Sequence, residues 1–314
     1  MSYRLTKYAQ SLAEFGSPFW LPHSQGHVLL RSIPRTELMD AVGCYPLFAC
    51  VTPEALQLDL EELKRVGAVS VTLVTDPLGS FDHQHLGDHF KPVARPYKAH
   101  YLVDLTGDPE SLGTSHHRRD ARRAARQATF TVCDTPSDHL TEWTRLYGHL
   151  IERHGITGQA RFSREAFAMQ LSLPGVMLVR ADGPDGDLLG MQLWFTDGEK
   201  AWHHLSGHTP AGYRAGVSYG LMASSLTALA HRGATVANLG AGAGLTVDET
   251  DGLSRFKQGW ATHTRDAWLC GAVLDPSLYD ILSGAHDADF FPAYRDPSLV
   301  NAPAAPEAIY AHVD

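Results

Sequence analysis

The stretch from 137 to 270 constrains the fold most, because its apolar pattern changes period in a fixed order. Residues 137–153 and 163–172 carry apolar positions at helical spacing. Three strands are predicted to follow at 176–181, 188–196 and 200–206. Asp-Gly-Pro-Asp-Gly at 182–186 separates the first two runs, and Asp197-Gly198 the second and third. Both are turn formers that close hairpins. A long helix is predicted over 216–231, stopped by Gly233. A strand at 235–239 runs into Gly-Ala-Gly-Ala-Gly at 240–244, followed by a short helix over 251–259 and a strand at 265–270. Two helices, a three-strand meander, a long helix, a strand, a short helix and a last strand imply an α/β (α+β) domain.

Upstream, Leu56, Leu60 and Leu63 mark a helix over 54–66 that Gly67 stops, and Val69–Val74 follows as a strand. Tyr101–Leu105 reads as a strand, 109–127 as a strongly basic helix and 129–133 as a short strand. Residues 275–314 hold seven acids and one base, and read as a helix near 276–283 with an extended acidic segment after it. A chain of 314 residues allows one large domain or two ordinary ones. Hydrophobic residues at 44% and charged residues at 19% exclude bulk disorder. The net charge of -9 excludes a surface basic all over but permits one basic patch, so no general DNA binding is expected. The first residues lack the basic head, apolar core and cleavage site of a signal peptide, and no apolar run reaches ~18 residues. Cys44, Cys50, Cys133 and Cys270 form no CxxC pair. Together these features lead us to expect reduced thiols, no membrane span and a cytoplasmic location.

Five segments carry residues suited to chemistry. Gly216-Val217-Ser218-Tyr219-Gly220 has the GxSxG spacing of a hydrolase elbow, but about ten residues separate it from the preceding strand, so Ser218 reads as part of a helix's first turns. The glycines at 240, 242 and 244 fail the dinucleotide fingerprint because position 245 is Leu. They read either as a plain flexible loop or as a place where backbone approaches a ligand. Asp82, His83, His85, Asp88 and His89 are metal-ligand types without ligand spacing; the segment reads as a polar loop and no metal site is expected. Arg118, Arg119, Arg122, Arg123 and Arg126 give 118–126 a charge of +4, leaving -13 on the rest. Such a cluster is either a solvated helix face or a contact for phosphates. Lys257 follows Phe256 just after the glycine run. It is either a surface lysine with its stem on the ring or a cation facing charge that develops on a reacting group.

The order of elements over 137–270 resembles that of a GNAT-type acyltransferase domain, with another α/β or α+β domain as the alternative. The segments HHRRDARRAARQATFTV and TVANLGAGAGLTVDETDGLSRFKQGWAT resemble the arginine helix and the late strand, glycine loop and Phe-Lys segment of the Fem-like acyltransferases. Trp260 stands where many relatives carry Phe. ERHGITGQARFSREAF and WHHLSGHTPAGYRAGVSYGLM are similar to the family as well; the resemblance is strong over 112–270 and weak over 1–100. It implies two tandem GNAT-like lobes, here 1–135 with the tail 276–314 packing back on it, and 136–275 carrying the Phe-Lys segment. It also implies transfer of an aminoacyl group from aminoacyl-tRNA to an amine, on a peptidoglycan precursor or a small natural-product intermediate. No tightly bound cofactor is implied. The chain lacks the long helical arm of some Fem enzymes. It also lacks the acyl-CoA loop Q/R-x-x-G-x-G/A, since Val217 stands where that pattern, started from Arg214, needs glycine. Acyl-CoA-dependent N-acetylation, and a catalytically silent binding protein on the same fold, are the alternatives.

Within this frame Lys257 is expected to stabilise the transition state and Phe256 to shape the adjoining wall, with Gly240 and Gly242 letting the chain approach substrate. His204, Arg164 and Tyr219 are expected to line the acceptor side. His204 would hydrogen-bond or deprotonate the amine, and His203 on the opposite strand face is an equal candidate. The five arginines are expected to meet the phosphates of tRNA or of a nucleotide-linked acceptor.

Overall fold

A computed structural model describes residues 2–242, 252–284 and 290–296, with the side chains of 83–85 left aside. Gly244, residues 245–251 and most of the expected acidic extension lie outside the described residues. The first part of the chain contains α1 (Thr6–Gln10), β1 (Ser17–Leu21), β2 (Gly26–Ser32), β3 (Met39–Gly43), α2 (Leu56–Arg65), β4 (Ala68–Val74) and α3 (His83–His89). Then come β5 (Pro92–Asp104), α4 (Ser115–Ala124), β6 (Thr129–Cys133), α5 (Leu140–His154) and α6 (Arg164–Leu171). The meander is β7 (Val176–Asp182), β8 (Leu188–Asp197) and β9 (Lys200–His208). It is followed by α7 (Pro210–Ala215), α8 (Val217–His231), β10 (Val236–Asn238), α9 (Gly252–Gln258), β11 (His263–Val273) and α10 (Pro276–Ser283).

The chain forms two compact units, 1–11 with 98–267 and 12–97 with 268–314. The first has strand order β5-β10-β9-β8-β7-β6, antiparallel except for the parallel pair β10 and β9. α8 packs on this sheet through Val217, Leu221, Met222, Leu226 and Leu229, all buried beside Trp194 and Ala237. Tyr3 and Tyr8 meet Phe195 edge-on at 5.3 and 5.7 Å. The second unit has order β1-β2-β3-β4-β11, with α2 burying Leu56, Leu60 and Leu63.

Residues 98–135, expected in the first lobe, belong to the unit built on 136–267. The reason is pairing at long range. Leu102 of β5 registers with Asn238 of β10, and Thr129 to Cys133 of β6 register with Asp182 to Leu178 of β7. Phe130 closes the same join from β6, since a Cβ at Gly220 of α8 would stand 2.1 Å from its ring.

The basic helix is shorter than its expected span, because a 3-10 turn at Pro109–Ser111 and Gly113, at φ +76°, precede it. The segment expected as a polar loop around Asp82–His89 is instead helix α3. Leu86 and Phe90, four residues apart and both buried, give that segment an apolar face. β1, β2 and β3 were not anticipated. Ser218 lies in the first turn of α8, and what precedes it is helix α7, so the elbow geometry is absent from the GxSxG segment.

Candidate active site

β10 ends in a polar residue where its neighbours are apolar. Asn238 is 2% exposed, and its Oδ1 accepts from the Gly240 backbone N–H at 2.8 Å. The same oxygen accepts from His100 Nδ1 at 3.1 Å. These bonds fix the turn that begins at Gly240, whose φ of +80° is the left-handed region that glycine adopts without strain. Lys257, projecting from α9, returns to this turn. It is 7% exposed, and its Nζ donates to the Ala241 carbonyl at 2.6 Å. A Cβ added at Gly240 would stand 3.1 Å from Nζ, so a larger residue there would crowd the ammonium.

Two histidines feel that charge. Burial pushes His100 down to about 4, its bond to Asn238 opposes this, and Lys257 lowers it further. His203 is lowered well below the ordinary imidazole value, first by burial and next by Lys257. Its ring packs on Trp194 at 4.9 Å, and its Nε2 has no hydrogen-bond partner among the described residues. Both rings are therefore neutral near pH 7, which leaves Lys257 as the cation beside this turn among the described residues.

An aromatic wall adjoins the lysine. Tyr219, in the first turn of α8, meets Phe256 edge-on at 5.1 Å and His117 of α4 at 5.1 Å. Burial, then the Asp120 carboxylate, raise the Tyr219 phenol, so it stays protonated. Arg123 comes to 3.9 Å from the Cβ position of Gly216, at the N-terminal end of α8. Lys257, Phe256, Tyr219 and Gly240 are thus gathered around one turn, and Gly242 closes its described part.

His204 does not belong to this group. It faces α1, α5 and α6, is 8% exposed, and stacks on Phe195 at 4.6 Å. Its Nδ1 pairs with Tyr3 Oη at 3.1 Å, and its Nε2 lies 3.4 Å from Gln170 Oε1. Burial drives its pKa to about 3. A satisfied imidazole in an aromatic core has no substrate to reach, so the expected role as amine base is withdrawn. Arg164 is also elsewhere: it is exposed on α6 and donates to Thr141 of α5 at 3.2 Å.

The five arginines divide. Arg118 donates to the Ser111 carbonyl at 2.9 Å and to the Gly113 carbonyl, so it anchors the start of its own helix. Arg119 and Arg123 flank the nearly buried Asp120, each 3.8 Å from it. Arg122 and Arg126 are exposed, with no partner among the described residues. Sequence reasoning missed Asn238, His100 and His117. Only Asn238 left a legible signal, as a polar residue inside an apolar strand just before a glycine.

Residues 114–258 match the family described as Acetyltransferase (GNAT) domain. No curated protein sequence matches the chain. Among solved structures, that of FemX aligns at TM-score 0.67 and 13% identity, covering 88% of this chain and 93% of that one. The C-terminal domain of a putative lysylphosphatidylglycerol synthetase from Agrobacterium fabrum aligns at TM-score 0.61 and 17% identity, covering 89% and 92%. L-PGS from Bacillus licheniformis aligns at TM-score 0.58 and 14% identity, covering 88% and 94%. The matched segment has the character of an acyltransferase domain of the GNAT type. The chain shares with these structures the fold of two tandem GNAT-like lobes. Among the described residues no helix is long and apolar enough to cross a membrane.

Proposed function

We propose that the protein transfers an aminoacyl group from aminoacyl-tRNA to an amine acceptor, forming an amide bond. The observation that carries this reading is the buried ammonium of Lys257 held against the Gly240–Ala241 turn, in a chain with a Fem-like fold. One structural neighbour is named as the C-terminal domain of a putative lysylphosphatidylglycerol synthetase, whose product is an aminoacylated lipid, which supports aminoacyl chemistry on this fold.

The neutral amine attacks the ester carbonyl, a C–N bond forms and the carbonyl electrons move to oxygen. As they return, the C–O bond to the ribose breaks, and the proton lost by nitrogen is balanced by the one gained by the leaving oxygen. Lys257 faces the negative charge that develops on these oxygens, an effect worth about 3–4 kcal/mol for one well-placed donor. Phe256 and Tyr219 shape the wall beside it, and Gly240 and Gly242 let backbone approach the acyl group. Arg119, Arg122, Arg123 and Arg126 meet donor phosphates, with Arg122 and Arg126, which have no partner among the described residues, making the main contribution. A charged-tRNA donor puts the protein in the cytoplasm.

The description of the matched family favours a second reading, acyl-CoA-dependent N-acylation. Incubating the protein with charged tRNA or acetyl-CoA and a panel of amines separates the two. Release of uncharged tRNA with amide product is expected. Consumption of acetyl-CoA with no use of charged tRNA overturns the first reading.

A further inference from the structure

α4 and α9 meet where a histidine fills a slot made by a glycine. The Thr114 N–H donates to the Gly259 carbonyl at 2.8 Å. His117, 7% exposed, places Nε2 3.1 Å from the Phe256 carbonyl oxygen and Nδ1 2.9 Å from Thr114 Oγ1. A carbonyl can only accept, so Nε2 carries the proton and Nδ1 accepts from the threonine hydroxyl. One neutral ring satisfies both ends.

The acceptor matters because of its position. The Phe256 carbonyl lies in the last turn of α9, where carbonyls run out of intrahelical partners. Trp260 N–H, which would reach it in a continuing helix, donates to the Lys257 carbonyl instead, at 3.1 Å. The Phe256 carbonyl also belongs to the peptide unit that joins Phe256 to Lys257. A hydrogen bond to it therefore fixes the plane from which the lysine side chain starts.

The surroundings leave the imidazole little freedom. A Cβ at Gly259 would stand 1.9 Å from His117 Cε1, and one at Gly113 would stand 2.6 Å from Trp260 Cε3. Trp260 meets the imidazole at 90° and 5.3 Å. Burial lowers the ring's pKa, the Phe256 carbonyl raises it, and His116 and Asp120 pull in opposite directions.

We infer that His117 is a positioning residue, which clamps the Phe256–Lys257 peptide to the arginine helix and so sets where the Lys257 ammonium points. This rests on the proposed role of Lys257. It also makes the helix bearing Arg122 and Arg126 and the lysine-bearing peptide one mechanical part.

The test uses the full chain and two variants. His117→Phe keeps a ring in the slot and removes the donor, whereas His117→Gln keeps an N–H that can reach the carbonyl. With whichever of charged tRNA or acetyl-CoA supports turnover, His117→Phe should lower kcat ~10–10²-fold at unchanged KM, the size of loss that follows a misplaced reacting group. His117→Gln should recover most of that loss. In [15N]histidine spectra the signal lost in both variants should be a neutral Nε2–H imidazole. Unchanged kcat in His117→Phe, a change in KM alone, equal loss in both variants, or an Nδ1–H tautomer overturns the clamp. Lys257→Met is run in parallel, and full activity there overturns the lysine reading instead. In that case, or if neither donor is used, deuterium exchange over 252–261 in His117→Phe decides the clamp: faster exchange at unchanged Tm upholds it and unchanged exchange overturns it.

Discussion

Lys257 reaches back across its own turn to within 2.6 Å of the Ala241 carbonyl, so α9 and the end of β10 are tied by the side chain proposed to act in catalysis. The contact holds the ammonium on a short tether beside Gly240. Lys257→Met keeps the length of the stem and removes the charge. Turnover should fall ~10²–10³-fold while the far-UV spectrum and Tm stay close to wild type. Lys257→Arg should recover little, because a planar guanidinium does not reproduce the compact ammonium that donates to the Ala241 carbonyl. Steady-state kinetics of the three proteins, with Tm measured alongside, check both statements.

Asn238 should matter for stability first. Its Oδ1 is the acceptor for both the Gly240 N–H and His100 Nδ1, and all three lie at the site. Asn238→Ala strands these donors, and a stranded buried donor costs about 1–3 kcal/mol. Urea unfolding should show a loss of that order per donor. An unchanged midpoint would mean that water or a neighbouring group replaces the amide at no cost.

How much of this was legible depends on whether the signal was local. The meander β7–β9, helix α8 and helix α10 follow from periodicity and turn residues close in sequence, and their bounds agree with expectation to within about two residues. Lys257 and Phe256 stood out because a glycine run and an aromatic–lysine pair are local too. His204 misled for the opposite reason. Alternation fixes the face of a strand on which a residue lies, but not whether Tyr3, two hundred residues away, covers that face. His117 was hidden in the same way, since its partner Phe256 lies 139 residues on. The arginines looked equivalent by spacing, yet Arg118 is bound to the turn just before it.

That difference gives a prediction for the basic helix. Arg122→Glu with Arg126→Glu reverses two exposed charges that have no partner among the described residues. Affinity for charged tRNA should drop at low salt and the salt dependence should become shallower, by about one unit of slope per lost contact. Arg118→Glu should instead lower Tm, because it removes the donor to the Ser111 and Gly113 carbonyls and places a carboxylate beside them. Filter binding over a salt series, with thermal melts, distinguishes the two. Equal affinity for the doubly substituted protein and wild type would make the helix purely structural.

Acid should weaken the fold in a window set by its buried histidines. Unfolded imidazoles take up protons near pH 6.5. In the folded chain His100 and His208 do so only near about 4, and His204 near about 3, because burial penalises the charged ring. The unfolded chain therefore binds more protons between these values, and stability falls as pH drops from about 6.5 toward 4. It is at its full value above that window. Each fully displaced group contributes a slope of about 1.4 kcal/mol per pH unit. Urea unfolding at pH 7.5, 6 and 5 should show the loss, and a flat profile would contradict it. His204→Phe should make the decline shallower, since it deletes the most displaced of the three, and should leave turnover near normal because the ring touches Tyr3, Phe195 and Gln170 rather than the Lys257 turn. A strong loss of turnover at unchanged stability would return His204 to the active site.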